Sequence, residues 1–358
     1  MSAATIFKYV ILVCVVAGVI VFGVPLLQLM QAGGSLSQLY HPNPIPNIQY
    51  PRFSPDESMI AFTRCSPCKI AVCSIATETS VVLSAQDGST VSDATFDPKS
   101  NRIAFVHRKK SSNGNRDYQL AVSQLDGSGL TILTSSDTHK RFPAFSFDGR
   151  KILFEGKERC KKKPESYCVA DLYEYDFITR EEKRLTDLQA LQAGPASFLP
   201  GNTKIALTAF GSVYPRHKTY ADRIELQDAY GEQKIFISNV SEPDKLQHLI
   251  TGTSTASSPK SLPSGKIAFL SRMNEYDQVK GNFVYDVFLW SPTGSRRLTN
   301  LSRYVREFGI SNSAQLVAFV TESKEKPAKA ELLLWNADSG SIQKLDCGRS
   351  VEERHLVP

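Results

Sequence analysis

The chain of 358 residues lacks the linear signatures of most hydrolases. Its six histidines, His41, His107, His139, His217, His248 and His355, show neither H-x-x-H nor H-E-x-x-H spacing, so no metal site is expected from them. There is no G-x-S-x-G segment, which removes the signature of a nucleophile elbow. Charge of one sign is not in large excess either: 42 Lys and Arg stand against 36 Asp and Glu, a formal +6. That balance gives no reason to expect nucleic acid as a partner. Nothing in the sequence calls for a cofactor.

Long apolar runs are also absent, with one exception. Tyr9 to Val24 carries no charge, and the apolar character continues through Pro25 to Met30. About 20 such residues cross a bilayer, so residues 1–30 are expected to be a short cytoplasmic N-terminus followed by a transmembrane helix over 9–29. Lys8 precedes the run and the next Lys or Arg is Arg52, which places the N-terminus inside and the remainder outside. A cleaved signal peptide fits less well, because Met30-Gln31-Ala32 does not offer an A-x-A-like site. Ile11-Leu12-Val13 before Cys14 lacks the small residue of a lipobox. Residues 31–47, with Pro42, Pro44 and Pro46, read as an extended stalk. The expected location is a bacterial inner membrane, single-pass, with the bulk of the chain in the periplasm or at the cell exterior.

One phrase recurs between residues 50 and 320: PRFSPDESMIAF from Pro51, ATFDPKSNRIAF from Ala94, PAFSFDGRKILF from Pro143, ASFLPGNTKIAL from Ala196, PKSLPSGKIAF from Pro259 and FGISNSAQLVAF from Phe308. Taking Phe53, Phe96, Phe145, Phe198, Leu262 and Ile310 as equivalent, the intervals are 43, 49, 53, 64 and 48 residues. Each phrase reads as an inner strand, a Ser/Pro/Asp/Gly turn, and a second strand opened by an Ile-Ala-Phe-like triplet. Alternating stretches such as Gln119 to Ser123 and Asp286 to Ser291, then short ILT or RLT segments, supply two further strands per unit. A β-sandwich with chance likeness at its turns is the competing reading, and six recurrences set it aside. Four short strands per unit and six units predict an all-β, six-bladed β-propeller with four-stranded blades, here preceded by the transmembrane helix. The domain is expected over 48–346, with 347–358 as a C-terminal tail, and residues 36–50 and 346–358 are both candidates for the strand that closes the ring.

The run of RLT, then P-x-F-S-P-D-G-like and I-A-F segments, resembles the propeller repeat of the TolB-like family. The resemblance covers about residues 48 to 346 and not the N-terminal α/β domain that TolB also carries. It implies a six-bladed propeller outside the cytoplasm and a role in protein interaction or envelope integrity.

With Cys14 in the membrane run, Cys65, Cys68, Cys73, Cys160, Cys168 and Cys347 remain, an even number suited to pairing in an oxidising compartment. Cys160 and Cys168 bracket one loop and are expected to staple it. Cys347 follows the last unit and is expected to close the ring by bonding Cys65 or Cys68. A zinc site built from Cys65, Cys68, Cys73 and Cys347 is the alternative.

Charge gathers in the second-to-third strand loops of units two and three. Arg108, Lys109, Lys110 and Arg116 lie in the first, and Lys161, Lys162 and Lys163 in the second. They are expected to form a basic sector that docks an acidic envelope protein or acidic envelope polymer; a solvated loop set is the plain alternative. The long insertion from Phe210 to Gln233 holds Tyr214, Arg216, His217 and Tyr220, a mixture that could bind a sugar or peptide over the channel mouth. The expected function is therefore non-catalytic: a monomeric, membrane-tethered binding scaffold. The alternative is a periplasmic hydrolase or lyase acting on a glycan or peptide at that mouth, which would require converging carboxylates or histidines with perturbed pKa values.

Overall fold

Apolar residues alternating at a spacing of two, broken every few residues by Ser, Asp, Gly or Pro, can form only short strands joined by tight turns. The computed structural model describes residues 48–99, 101–110, 116–160, 163–212, 233–249, 255–277, 282–322, 330–348 and 350–358. The expected anchor and stalk lie outside these, as do Lys161, Lys162 and the loop of Tyr214, Arg216, His217 and Tyr220. The chain divides into Met1–Pro46 and Asn47–Pro358, and the second unit alone is described below. Among the described residues no helix is long and apolar enough to cross a membrane, and the regular elements are strands.

The first repeat forms β1 (Ile48–Phe53), β2 (Met59–Arg64), β3 (Lys69–Ser74) and β4 (Thr79–Ser84); the second forms β5 (Thr90–Phe96), β6 (Arg102–Lys110), β7 (Arg116–Gln124) and β8 (Thr131–Ile132). The third gives β9 (Thr138–Phe145), β10 (Lys151–Cys160), β11 (Lys163–Asp176) and β12 (Glu181–Arg184). The fourth has a divided inner strand, β13 (Ala190–Gln192) and β14 (Ala196–Phe198), then β15 (Lys204–Ser212), β16 (Lys234–Asn239) and β17 (Glu242–His248). The fifth comprises β18 (Ala256–Ser261), β19 (Ile267–Asp277), β20 (Asn282–Ser291) and β21 (Gly294–Arg297). The sixth comprises β22 (Glu307–Ile310), β23 (Leu316–Glu322), β24 (Ala330–Asn336) and β25 (Ile342–Lys344), and β26 (Ser350–His355) ends the chain.

Neighbouring strands of each unit pair antiparallel, from an innermost to an outermost strand. Hydrogen bonding nevertheless gives five sheets and not six separate four-stranded ones. The reason is β13. The fourth inner strand is interrupted between Gln192 and Ala196, and Ala190 of β13 pairs with Ala170 of β11 as well as Ser212 of β15. The third and fourth units become one nine-stranded sheet.

Six hydrophobic clusters pack each unit on the next. Ala61, Ile70 and Leu83 meet Val91, Ile103 and Phe105; Ala104 and Leu120 meet Ile152 and Phe154; Leu153 and Leu172 meet Phe198 and Ile205. Ile235 meets Phe269, Leu270 and Val287 meet Phe308 and Phe319, and Ala318 and Val320 return to Ile60 and Phe62. The last cluster closes the series on itself, which is the propeller arrangement. The small central residues of the triplets, Ala61, Ala104, Ala206, Ala268 and Ala318, are all fully buried. Gly309 marks the closure at the centre, where a Cβ would stand 2.5 Å from the Pro51 carbonyl oxygen.

The repeat's polar residues are spent on turns and corners. Ser54 Oγ accepts from Met59 N at 3.0 Å, Ser146 Oγ from Lys151 N at 2.9 Å, and Ser311 Oγ from Leu316 N at 3.0 Å. Gly149 takes the positive φ (72°) that an Asp-Gly turn demands. RLT has a reason too. Arg184 and Thr186 both donate to the buried carboxylate of Asp171, which also accepts from Leu188 N. Arg297, Thr299 and Leu301 N do the same for Asp286.

Two expectations about the chain's end are corrected. Residues 350–355 are not a free tail: β26 lies parallel to β4, Ser350 against Thr79 through His355 against Ser84. Cys347 bonds Cys73 (Cα–Cα 5.7 Å), while Cys65 bonds Cys68. After the short β25 the chain turns back to start β26 beside Thr79, and the neighbouring Ser80 Oγ donates to Cys347 O. This brings Cys347 to the Cys73 end of β3, several residues from the Cys65–Cys68 turn. Four cysteines are thus in disulfides, which leaves no thiolates for the zinc alternative. For Cys160 and Cys168 the backbone register alone is described: Cys160 faces Lys163 and Arg159 faces Tyr167. The expected pairing lies outside the described side chains.

Candidate functional site

Pairing a strand of one length with a partner one residue shorter forces a bulge, and a bulge re-aims the side chains beside it. Four inner strands do this at the same place. Gln49 pairs Thr63 and Arg52 pairs Ala61; Ser92 pairs Val106 and Thr95 pairs Ala104; Arg141 pairs Glu155 and Ala144 pairs Leu153; Ser257 pairs Leu270 and Lys260 pairs Ala268. Each interval holds one extra inner-strand residue, and each bulge puts a non-glycine residue at positive φ: Tyr50 (57°), Asp93 (57°), Phe142 (55°) and Ser258 (58°). Such a conformation is uncommon and costs about 1–3 kcal/mol. The result is a set of polar side chains turned toward the channel. The sixth inner strand pairs regularly from Glu307–Val320 to Ile310–Val317.

Two cavities share this channel. One, of about 250 Å³, is lined by Tyr50, Arg52, Arg141, Gln192, Gln233, Ser258, Lys260, Arg306 and Glu307, among others. It lies at the end where the inner strands begin. The hairpins linking second to third strands share that end, since Thr90 pairs Arg108 and Thr138 pairs Glu158; it is called the hairpin face below. The other cavity, of about 340 Å³, opens at the turn face and contains all six repeat-equivalent residues, Phe53, Phe96, Phe145, Phe198, Leu262 and Ile310. Arg52 and Lys260 line both.

At the hairpin-face mouth four cationic side chains, Arg52, Arg141, Lys260 and Arg306, stand with one carboxylate, Glu307. Tyr50 N donates to Glu307 Oε2, and Phe142 N donates to Asp93 Oδ2. Arg141 Nη1 lies 3.5 Å from Glu155 Oε1. Burial disfavours charge in all of these. It pushes the Glu307 carboxyl up to about 7 against the opposing hydrogen bond from Tyr50 N, with nearby Asp93 adding to the rise. It raises Asp93 although Arg52 opposes it, raises the Tyr50 phenol, and drives Lys260 well below the usual lysine range, with Arg52 assisting. Of the converging carboxylates that the hydrolase or lyase reading demanded, the mouth's described lining holds Glu307 alone.

Of the residues singled out from sequence, the described ones lie at the mouth's end of the strands. Arg108 and Lys109 sit on β6, and Lys110 pairs Arg116 at the hairpin's end. Lys109 is exposed and reaches Asp87 at 3.2 Å. Lys163 begins β11 on the neighbouring hairpin. The structure thus brings the described part of the basic sector to the mouth's side of the molecule. Sequence reading missed the mouth itself. Its signal was present: Pro51, Pro143 and Pro259 each follow a positive-φ residue, and proline inside a strand marks a bulge.

No family model and no curated protein matches the sequence. Among solved structures the chain is similar to TolB from Acinetobacter baumannii (TM-score 0.56, 17% identity, 87% of this chain and 66% of that one). It is also similar to an oligogalacturonate lyase in complex with manganese (0.53, 13%, 84% and 78%) and to the acylaminoacyl peptidase of Pyrococcus horikoshii (0.50, 16%, 84% and 45%). These likenesses show the β-propeller fold, and the chain spans just under two thirds of that TolB's length. Among the described residues no three His, Cys, Asp or Glu gather to hold a metal, and the one carboxylate lining the mouth stands among four cations.

Proposed function

We propose that this chain is a six-bladed propeller, tethered through residues 9–29 and facing the periplasm or cell exterior, that binds an acidic partner on its hairpin face without catalysing a reaction. In this reading the nine-stranded sheet is two blades joined through β13, which agrees with six inter-unit clusters and six repeat-equivalent residues in one cavity. The observation that carries the function is the mouth's basic lining, Arg52, Arg141 and Arg306 beside a Lys260 whose pKa burial lowers, against Glu307 with Asp93 and Glu155 close by, on the side where the basic hairpins rise. Such a surface draws an anionic envelope protein or polymer by long-range attraction that salt weakens. The tether adds effective concentration, so weak contacts suffice.

The test is crosslinked co-purification of the full chain from its own membrane, beside an Arg306→Glu variant and a Lys161/Lys162/Lys163→Glu variant. The expected result is an acidic partner held by the wild type, released by raised salt and lost from both variants. Identical partners in all three samples would sink the reading.

A second reading rests on one specific observation, the raised carboxyls of Asp93 and Glu307 beside Tyr50 and Lys260. It makes the mouth a hydrolase or lyase site for an acidic glycan, the class named for the lyase of similar fold. Release of reducing ends from oligogalacturonate, lost in Glu307→Gln, would establish it.

A further inference from the structure

The cavity at the turn face differs in kind from the mouth. Phe53, Phe96, Phe145, Phe147, Phe198 and Ile310 give it apolar walls, with Pro55, Pro98 and Pro263 at its rim. Its volume of about 340 Å³ is at the lower end of the ~300–1,000 Å³ typical of small-ligand sites. Polar side chains also line it, Thr95, Ser146, Ser197 and Asn312 as well as Arg52, Lys260 and Ser261. Arg52 and Lys260 enter from the channel side, and among the described residues neither has a carboxylate within ion-pair distance; Arg52 Nη1 donates only to the neighbouring Pro51 carbonyl. Ser261 Oγ lines the same space, buried and without a hydrogen-bond partner. The unpaired hydroxyl stands beside Arg52 and Lys260, neither in a direct ion pair although Asp93 and Glu307 act on both at longer range, and a donor set of this kind can take one carboxylate. An aromatic-walled pocket with a single cationic end selects a ligand that is apolar along its body and anionic at one tip.

We propose that the turn-face cavity is a binding site for a small amphipathic monocarboxylate, its apolar body among the ring of phenylalanines and its carboxylate on Arg52, Lys260 and Ser261. The site opens at the opposite end of the channel from the hairpin-face mouth and shares Arg52 and Lys260 with it; titration with a small probe reads it without the hairpin-face partner.

The experiment is calorimetric titration of the full chain in lipid nanodiscs with three probes: 4-phenylbutyrate, its uncharged twin 4-phenylbutyramide, and butyrate, which keeps the head and loses most of the body. The expected result is one site for 4-phenylbutyrate, with the amide and butyrate each at least tenfold weaker. Lys260→Met should weaken 4-phenylbutyrate at least tenfold and leave the amide unchanged, which also separates the site from partition into the lipid. Because Lys260 is partly buried, Ser261→Ala serves as a milder second variant, expected to weaken the acid about threefold with an unaltered melting temperature. Equal affinity for acid and amide, no heat at millimolar 4-phenylbutyrate, or full affinity in both variants would overturn the proposal.

Discussion

The two faces of the propeller are built from the same strands and behave differently. On the turn face each unit repeats a short connection and an apolar residue delivered to the channel, and three of the six add a Ser hydroxyl capping the chain five residues on. On the hairpin face the corresponding connections run from the four-residue Cys65–Cys68 turn to the insertion between β15 and β16, and two of them carry runs of basic residues. Repetition marks where the fold is specified, and variation marks where a partner can be accommodated without disturbing it.

The largest expected effect tests whether the turn face holds the ring. Cys73–Cys347 spans 274 residues and Cys65–Cys68 spans 3. In the chain-entropy account the long loop is worth about 5 kcal/mol and the short one about 2 kcal/mol. Chemical denaturation of Cys73→Ser/Cys347→Ser should therefore show much the greater loss, and β26 should become accessible to protease. Equal losses from the two pairs would mean that the ends are held by β26 pairing and the sixth inter-unit cluster alone.

Next comes the exception on the hairpin face. The Asp171 and Asp286 corners are buried, and each binds an Arg, a Thr and a backbone N–H. Asp286→Ala leaves Arg297 without its counter-charge and should cost about 3–5 kcal/mol, read as a lower denaturation midpoint. Neutralising exposed Lys109, whose partner Asp87 is also exposed, should cost well under 1 kcal/mol. If the two substitutions matched, the corners would not be what fixes this face.

How much of this was legible follows from the same contrast. The phrase PAFSFDGRKILF displays its turn, its triplet and its core because local rules dictate all three: Asp-Gly for positive φ, Ser for a cap, period-two apolar residues for the sheet. Fold class could be read from that repeat. The partner of Cys347 was misassigned because it depends on where β26 starts, a long-range fact with no local signature. The channel mouth stayed hidden for a related reason. Tyr50, Asp93, Arg141, Lys260 and Glu307 come from five units, and the bulges that turn four of these strands shift side chains off the simple alternation used to assign them. The expectation of six separate sheets missed β13, since nothing in Ala190-Leu191-Gln192 announces a second partner.

The mouth also sets a pH dependence the turn face should lack. The folded-state Glu307 carboxyl lies at about 7, above its usual 4.5. Between those values the folded chain holds a proton that the unfolded chain has released, so stability falls as pH rises from about 4.5 to 7 and levels off above. Partial exposure to solvent limits the effect to on the order of 2 kcal/mol. Glu307→Gln should flatten the melting-temperature profile between pH 5 and 8 and raise stability most at pH 8. An unchanged slope would assign the dependence to Asp93, whose carboxyl is raised by the same burial.

The smallest effect returns to the turn face. Ser54 Oγ accepts from Met59 N and donates to Asp56, and Ser146 and Ser311 repeat the cap. Removing one hydroxyl leaves a backbone N–H to find water, at about 1 kcal/mol. Ser54→Ala and Ser146→Ala act in separate units with no shared partner, so their double variant should lose the sum within a few tenths of a kcal/mol. A larger combined loss would mean that the turns report to one another through the ring of Phe53 and Phe145 in the cavity beneath them. The face would then be a cooperative plate, and a ligand seated in that cavity would stabilise every turn at once.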